Sequence, residues 1–152
     1  MPNVSSSTDV AHIIQLSLAP VFLLVGIGSF LNVMAGRLAR IIDRARTIER
    51  ELGEALDREG KSRRIDELKA LDRRMVLSNA AINSCTAAAL LVAFDVALLF
   101  LSDLVSIDTS FAVSLIFILA MLGIIGGLCA FLLEITTATR TQRVRGELLI
   151  SR

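Results

Sequence analysis

Three long stretches of this chain are apolar with almost no interruption, and the segment between the first two is crowded with charge. Residues 13–36 form the first run, "IIQLSLAPVFLLVGIGSFLNVMAG". As a helix, its 24 residues would extend about 36 Å, enough to cross a hydrocarbon core about 30 Å thick. The second run covers 75–104, and the third, 111–133, holds no charge at all. Pro20 falls in the first third of its run, where a membrane helix tolerates it. The pattern predicts an all-α membrane protein with three transmembrane helices and a helical hairpin that extends the first and second of them.

The polar segment has its own periodicity. Leu38, Ile41, Ala45, Ile48, Leu52 and Ala55 follow one another at alternating steps of three and four, the seam of helices that pack side by side. A second stripe runs through Ile65, Leu68, Leu71 and Met75, and "REGKS" around Gly60 is the turn signal between them. A turn there leaves arms of unequal length, 37–59 against 62–74. Either the outgoing arm breaks near Gly53, or the returning arm stays outside the hydrocarbon until Ser84. The polar residues Ser78, Asn79, Asn83 and Ser84 favour the second choice. The expected map is then a tail at 1–12, a first span at 13–36, a hairpin at 37–84 and a second span at 85–104. A turn at 105–110, a third span at 111–134 and a basic tail at 135–152 complete it. The seam residues Leu38, Ile41, Ile48 and Leu52 are packing positions, closed either within the hairpin or between copies of the chain.

Charge then orients the chain. Twelve of the sixteen Lys and Arg lie in 37–74 and the other four follow Glu134, while 1–36 and 75–133 contribute none. By the positive-inside rule the N-terminus is outside, and the hairpin and C-terminus are cytoplasmic. Arg37, Arg40 and Arg44, just beyond the first span, are expected to meet anionic lipid headgroups. The outer loop carries Asp103 and Asp108 without opposing charge. Net charge is only +1 at a mean hydropathy of +0.68, because the charges are segregated rather than few. Twelve basic residues in the hairpin face nine acidic ones, and the chain has no Trp or Tyr, which argues against a nucleic-acid partner.

Little points to catalysis. His12 is the single histidine, and Cys85 and Cys129 both sit in apolar runs, where they read as small buried residues. No phosphate loop, metal-ligand pair or cofactor motif is present, so neither an enzyme nor a cofactor is expected. The chemical anomaly is Asp95, a lone carboxylate in "AALLVAFDVALLF". A charge at mid-membrane costs about 2.5–3.5 kcal/mol on insertion scales, so it must face protein or water. On a helical wheel its face carries Ser102 above and Ala88, Ser84 and Ala81 below. Asn32 on the first helix and the close-packing glycines Gly123 and Gly127 on the third are the other positions built for contact.

The string "IQLSLAPVFLLVGIGSFLNVMAGRLARIIDRARTIE", 14–49, resembles a bacterial family of small three-pass membrane proteins of unknown function, the DUF two-seven-two-one group. Gln15, Leu18-Ala19-Pro20, Gly26, Gly28, Asn32, Gly36 and "RLARIIDRAR" carry the likeness. The resemblance implies an inner-membrane protein and transfers no catalytic residue.

Two functions fit these residues. One is a homo-oligomeric channel for monovalent or divalent cations, in which Asp95, Ser102, Ala88, Ser84 and Asn32 line a pathway and Asp95 forms a carboxylate ring. The other is a non-conducting, membrane-anchored scaffold whose cytoplasmic hairpin binds protein partners or anionic lipid.

Overall fold

The computed structural model describes residues 4–53, 57–105 and 109–150, with side chains among them at 15, 18–53, 57–102, 104–105 and 109–138. They form three helices, α1 (Val4–Gly53), α2 (Arg58–Val105) and α3 (Ser110–Ile150), with no strand among the described residues. Each helix contains a stretch long and apolar enough to cross a membrane. Only 11–22% of each span's apolar window is buried within the chain, so most of those side chains point outward. Lipid, not water, is the solvent that suits such a surface. The three-pass helical fold read from hydropathy is the fold observed.

Within each helix the buried positions keep one phase. On α1 they are Pro20, Ile27, Met34, Ile41 and Ile48, every seventh residue, with Ala45 beside them. On α3 they are Ala120, Gly127 and Glu134, again seven apart. The α2 set is Leu71, Ser78, Ala81, Cys85, Ala88, Val92 and Asp95. A strict seven-residue repeat is the mark of supercoiled helices packing knobs into holes. The seam visible between Leu38 and Leu52 is therefore a short piece of a longer pattern.

The chain packs as two units. One comprises Met1–Leu31 with Ser84–Ile125, and the other Asn32–Asn83 with Gly126–Arg152. In the second unit Ile41, Ala45, Ile48 and Leu71 form a core, flanked by Leu52, Leu68 and Met75. Large aliphatic side chains do the packing here, and the seam closes within the hairpin itself. Ile65, expected in the returning stripe, is exposed instead. Ion pairs join the arms outside this core, Arg44 to Glu67 and Arg64 to Glu51, both at 2.7 Å.

α1 ends at Gly53 and α2 begins at Arg58, so Gly60, expected in the turn, lies in the first turn of α2. Asp57 sets that start. Its carboxylate accepts a hydrogen bond from the Arg58 N–H at 2.7 Å, and its carbonyl accepts from Lys61 N–H at 2.9 Å. Asp57 is thus the N-cap, and Asp57→Ala should lower stability by about 1 kcal/mol, read as an earlier midpoint in reversible unfolding from detergent. With the turn here the arms are equal, 17 residues each at 37–53 and 58–74. The mismatch that favoured opening the second span only at Cys85 disappears with it.

The first unit packs by a different rule. Ser84 donates a hydrogen bond to the Gly123 carbonyl at 2.7 Å. A Cβ added at Gly123 would lie 3.1 Å from the Ala88 Cβ. Helices in lipid gain nothing from hiding apolar surface, so they associate through small residues that let backbones approach. Ala88 and Gly123 serve that purpose here.

Candidate functional site

Two polar features stand out, one in each unit. In the first unit Asp95 is 2% exposed, and its Oδ1 has no hydrogen-bond partner. It shares the α2 face expected of it, with Ala88 buried and Ser84 and Ser102 half-buried. That face, however, is covered by the chain's own packing. The expected ring of carboxylates between copies needs Asp95 at an outer surface, and the structure places it inside. The depth of Asp95 changes as well. Ser84 and Ala88 meet Gly123, and both helices advance about 1.5 Å per residue. Antiparallel stepping from that pair sets Asp95 level with 112–116, the far end of α3's apolar run, rather than at its middle.

The remaining pathway candidates are not gathered there. Asn32 is exposed on α1, and added Cβ atoms at Gly28 and Gly36 would meet nothing within 4 Å, so the packing face expected around Asn32 has no partner among the described residues. The side chain of Asp103, and Asp108 altogether, lie outside the described residues. Gly127 is buried on α3, Leu38 and Leu52 are half-buried, and Ile41 and Ile48 are core.

In the second unit a fully covered carboxylate joins all three helices. Glu134 of α3 has 0% side-chain exposure. Arg74 of α2 donates to its Oε1 twice, from Nε at 3.0 Å and Nη2 at 2.9 Å. Arg37 of α1 places Nη2 3.1 Å from Oε2, an ion pair without hydrogen-bond alignment. The Arg37 guanidinium also lies 5.3 Å from the Phe131 ring centroid, within cation–π range. A carboxylate taken out of water is tolerable only with such partners.

The sequence marks Glu134 only as the end of the third span and assigns it no site. The signal was present all the same. Arg37, Arg74 and Glu134 each stand at a charged border of one apolar run, and alternating threading brings those three borders to the same end.

Beside this clasp lies an open cleft of about 340 Å³, lined by Arg37, Arg40, Ile41, Arg44, Leu71 and Arg74. The three arginines expected near lipid headgroups are thus brought together, and Arg74 is a fourth that sequence reading missed. Arg44 donates from Nε and Nη2 to Glu67 at 3.1 and 2.7 Å. That hydrogen bond, helped by the charge of the same carboxylate, raises the Arg44 pKa above its already high ordinary value, so Arg44 is a fixed cation. Arg40 makes no ion pair among the described residues. Carboxylates behind the cleft hold three guanidinium groups in place, and the unused N–H donors are left for an anion. Among the described residues no group of His, Cys, Asp and Glu is arranged to hold a metal ion.

Three apolar spans and a polar hairpin define a multi-pass helical membrane protein. The chain belongs to the DUF2721 family, proteins of unknown function, which matches residues 17–144. The family resemblance seen in 14–49 therefore holds over most of the chain. No curated protein and no solved structure matches it.

Proposed function

We propose that this protein is a non-catalytic, non-conducting scaffold of the bacterial inner membrane whose hairpin offers a binding platform for anionic groups. Its N-terminus is outside and its hairpin and C-terminus are cytoplasmic, the orientation favoured by twelve of sixteen basic residues lying in 37–74. The observation that carries the reading is the convergence of Arg37, Arg40, Arg44 and Arg74 on one cleft. The clasp at Glu134 supports it, because a platform needs its arginines held at fixed positions.

The cation channel has lost its main support. Asp95 is enclosed by its own chain, and the hairpin seam that could have joined copies is occupied within one hairpin. A buried Asp95 in this setting works as a packing residue. Proteoliposomes carrying the wild type should pass Na⁺, K⁺ and Ca²⁺ no faster than empty vesicles, and Asp95→Asn should leave that unchanged. Wild-type flux that Asp95→Asn abolishes would restore the channel and end the scaffold reading.

A further inference from the structure

We propose that the arginine cleft is a site for a phosphate-bearing lipid headgroup with about two negative charges, either one phosphomonoester or a pair of phosphodiesters. The inference rests on the platform reading and names its ligand. Charge balance is the first argument. Four guanidinium groups line the cleft, and among the described residues two carboxylates pair with them, Glu134 and Glu67. The surplus is two positive charges, and Glu67 is further shared with Arg64 at 3.2 Å. A phosphomonoester at neutral pH carries about −1.5 to −2, which matches that surplus; a single phosphodiester does not.

Donor geometry is the second. Arg74 and Arg44 each commit Nε and Nη2 to a carboxylate, which leaves the Nη1 donors of both. Arg37, whose contact with Glu134 is an ion pair only, and Arg40 spend no donor on a hydrogen bond among the described residues. Planar forks fixed from behind suit a multidentate oxyanion better than flexible lysines would.

The amphiphilic setting argues for a lipid over a soluble phosphate compound. Arg37 and Arg74 directly border apolar runs. Within a turn of them Val33 and Val76 are exposed, as are Leu132 and Leu133 beside Glu134. A headgroup in the cleft would leave its acyl chains at the border where the apolar runs begin, so one molecule suits both the charged cleft and the lipid-facing spans. Arg40 is the residue on which selectivity for the second negative charge rests, since it alone of the four has no carboxylate partner among the described residues.

The test is native mass spectrometry of the full chain in detergent, titrated with phosphatidic acid, cardiolipin, phosphatidylglycerol and phosphatidylcholine. Phosphatidic acid or cardiolipin should be retained at about one-tenth the concentration phosphatidylglycerol needs, and phosphatidylcholine should not be retained. Arg40→Gln should erase that advantage, while Arg63→Gln, an exposed arginine away from the cleft, should keep it. Millimolar inorganic phosphate should not displace the lipid. Equal retention of phosphatidylglycerol, an unaffected Arg40→Gln, or displacement by inorganic phosphate would each overturn the proposal. Cation flux through the same preparations separates the two readings. Absent flux with no lipid preference overturns the lipid site alone, whereas flux dependent on Asp95 overturns the scaffold.

Discussion

Replacing both arginines at the clasp, Arg37→Gln with Arg74→Gln, should lower stability by about 3–5 kcal/mol, the cost of leaving a buried charge without partners. Reversible unfolding by SDS from mild detergent measures it. The asymmetry of the site makes the prediction specific. Glu134 has 0% side-chain exposure, whereas Arg37 and Arg74 retain 30% and 24%. Without Glu134 the two guanidinium groups can turn toward water, so Glu134→Gln should cost less, about 1–3 kcal/mol. Adding Glu134→Leu to the double variant removes the stranded carboxylate and should recover most of the loss. Wild-type stability in the double variant, or no recovery in the triple, would mean that the clasp is incidental.

The second large effect belongs to Gly123. Gly123→Leu drives a side chain into the Ala88 contact and should cost about 1–3 kcal/mol or more, the range for overpacked cores. It also pushes apart the Ser84 hydroxyl and the Gly123 carbonyl, now 2.7 Å from each other. Gly123→Ala is a finer probe, because two effects oppose. Replacing a helical glycine gains about 0.5–1 kcal/mol, but the new Cβ would sit 3.1 Å from that of Ala88. The single variant should therefore unfold close to wild type, and Ala88→Gly in the Gly123→Ala background should relieve the clash. If Gly123→Leu proves neutral, α2 and α3 are not in close contact at this level.

The three spans were legible because charge-free runs of that length have few other fates, and the hairpin seam because its spacing is regular. The turn was misplaced for a local reason. "REGKS" has the stronger turn composition, yet Asp57 can cap a helix and Gly60 is tolerated within the first turn behind it. Equal arms of 17 residues were the constraint that would have ended the first arm at Gly53. Asp95 was correctly put on the small-residue face of α2, but a helical wheel cannot tell a face turned toward its own chain from one turned toward a copy. Glu134 escaped notice because its partners lie 60 and 97 positions away in sequence, and only the threading of the spans brings them near. The cleft followed the same logic: three of its arginines were visible as a local cluster, and Arg74 was not.

The seven-residue repeat on α1 and α3 also limits how such a chain can change length. One residue inserted into a helix rotates everything beyond it by about 100°. On α1, a single insertion between Met34 and Ile41 would carry Ile41, Ala45 and Ile48 off the core face while leaving Pro20, Ile27 and Met34 on it. Seven residues restore the phase, and because the arms match, the partner arm of α2 must gain seven too. Growth or shortening of the hairpin is thus quantised in heptads taken in pairs.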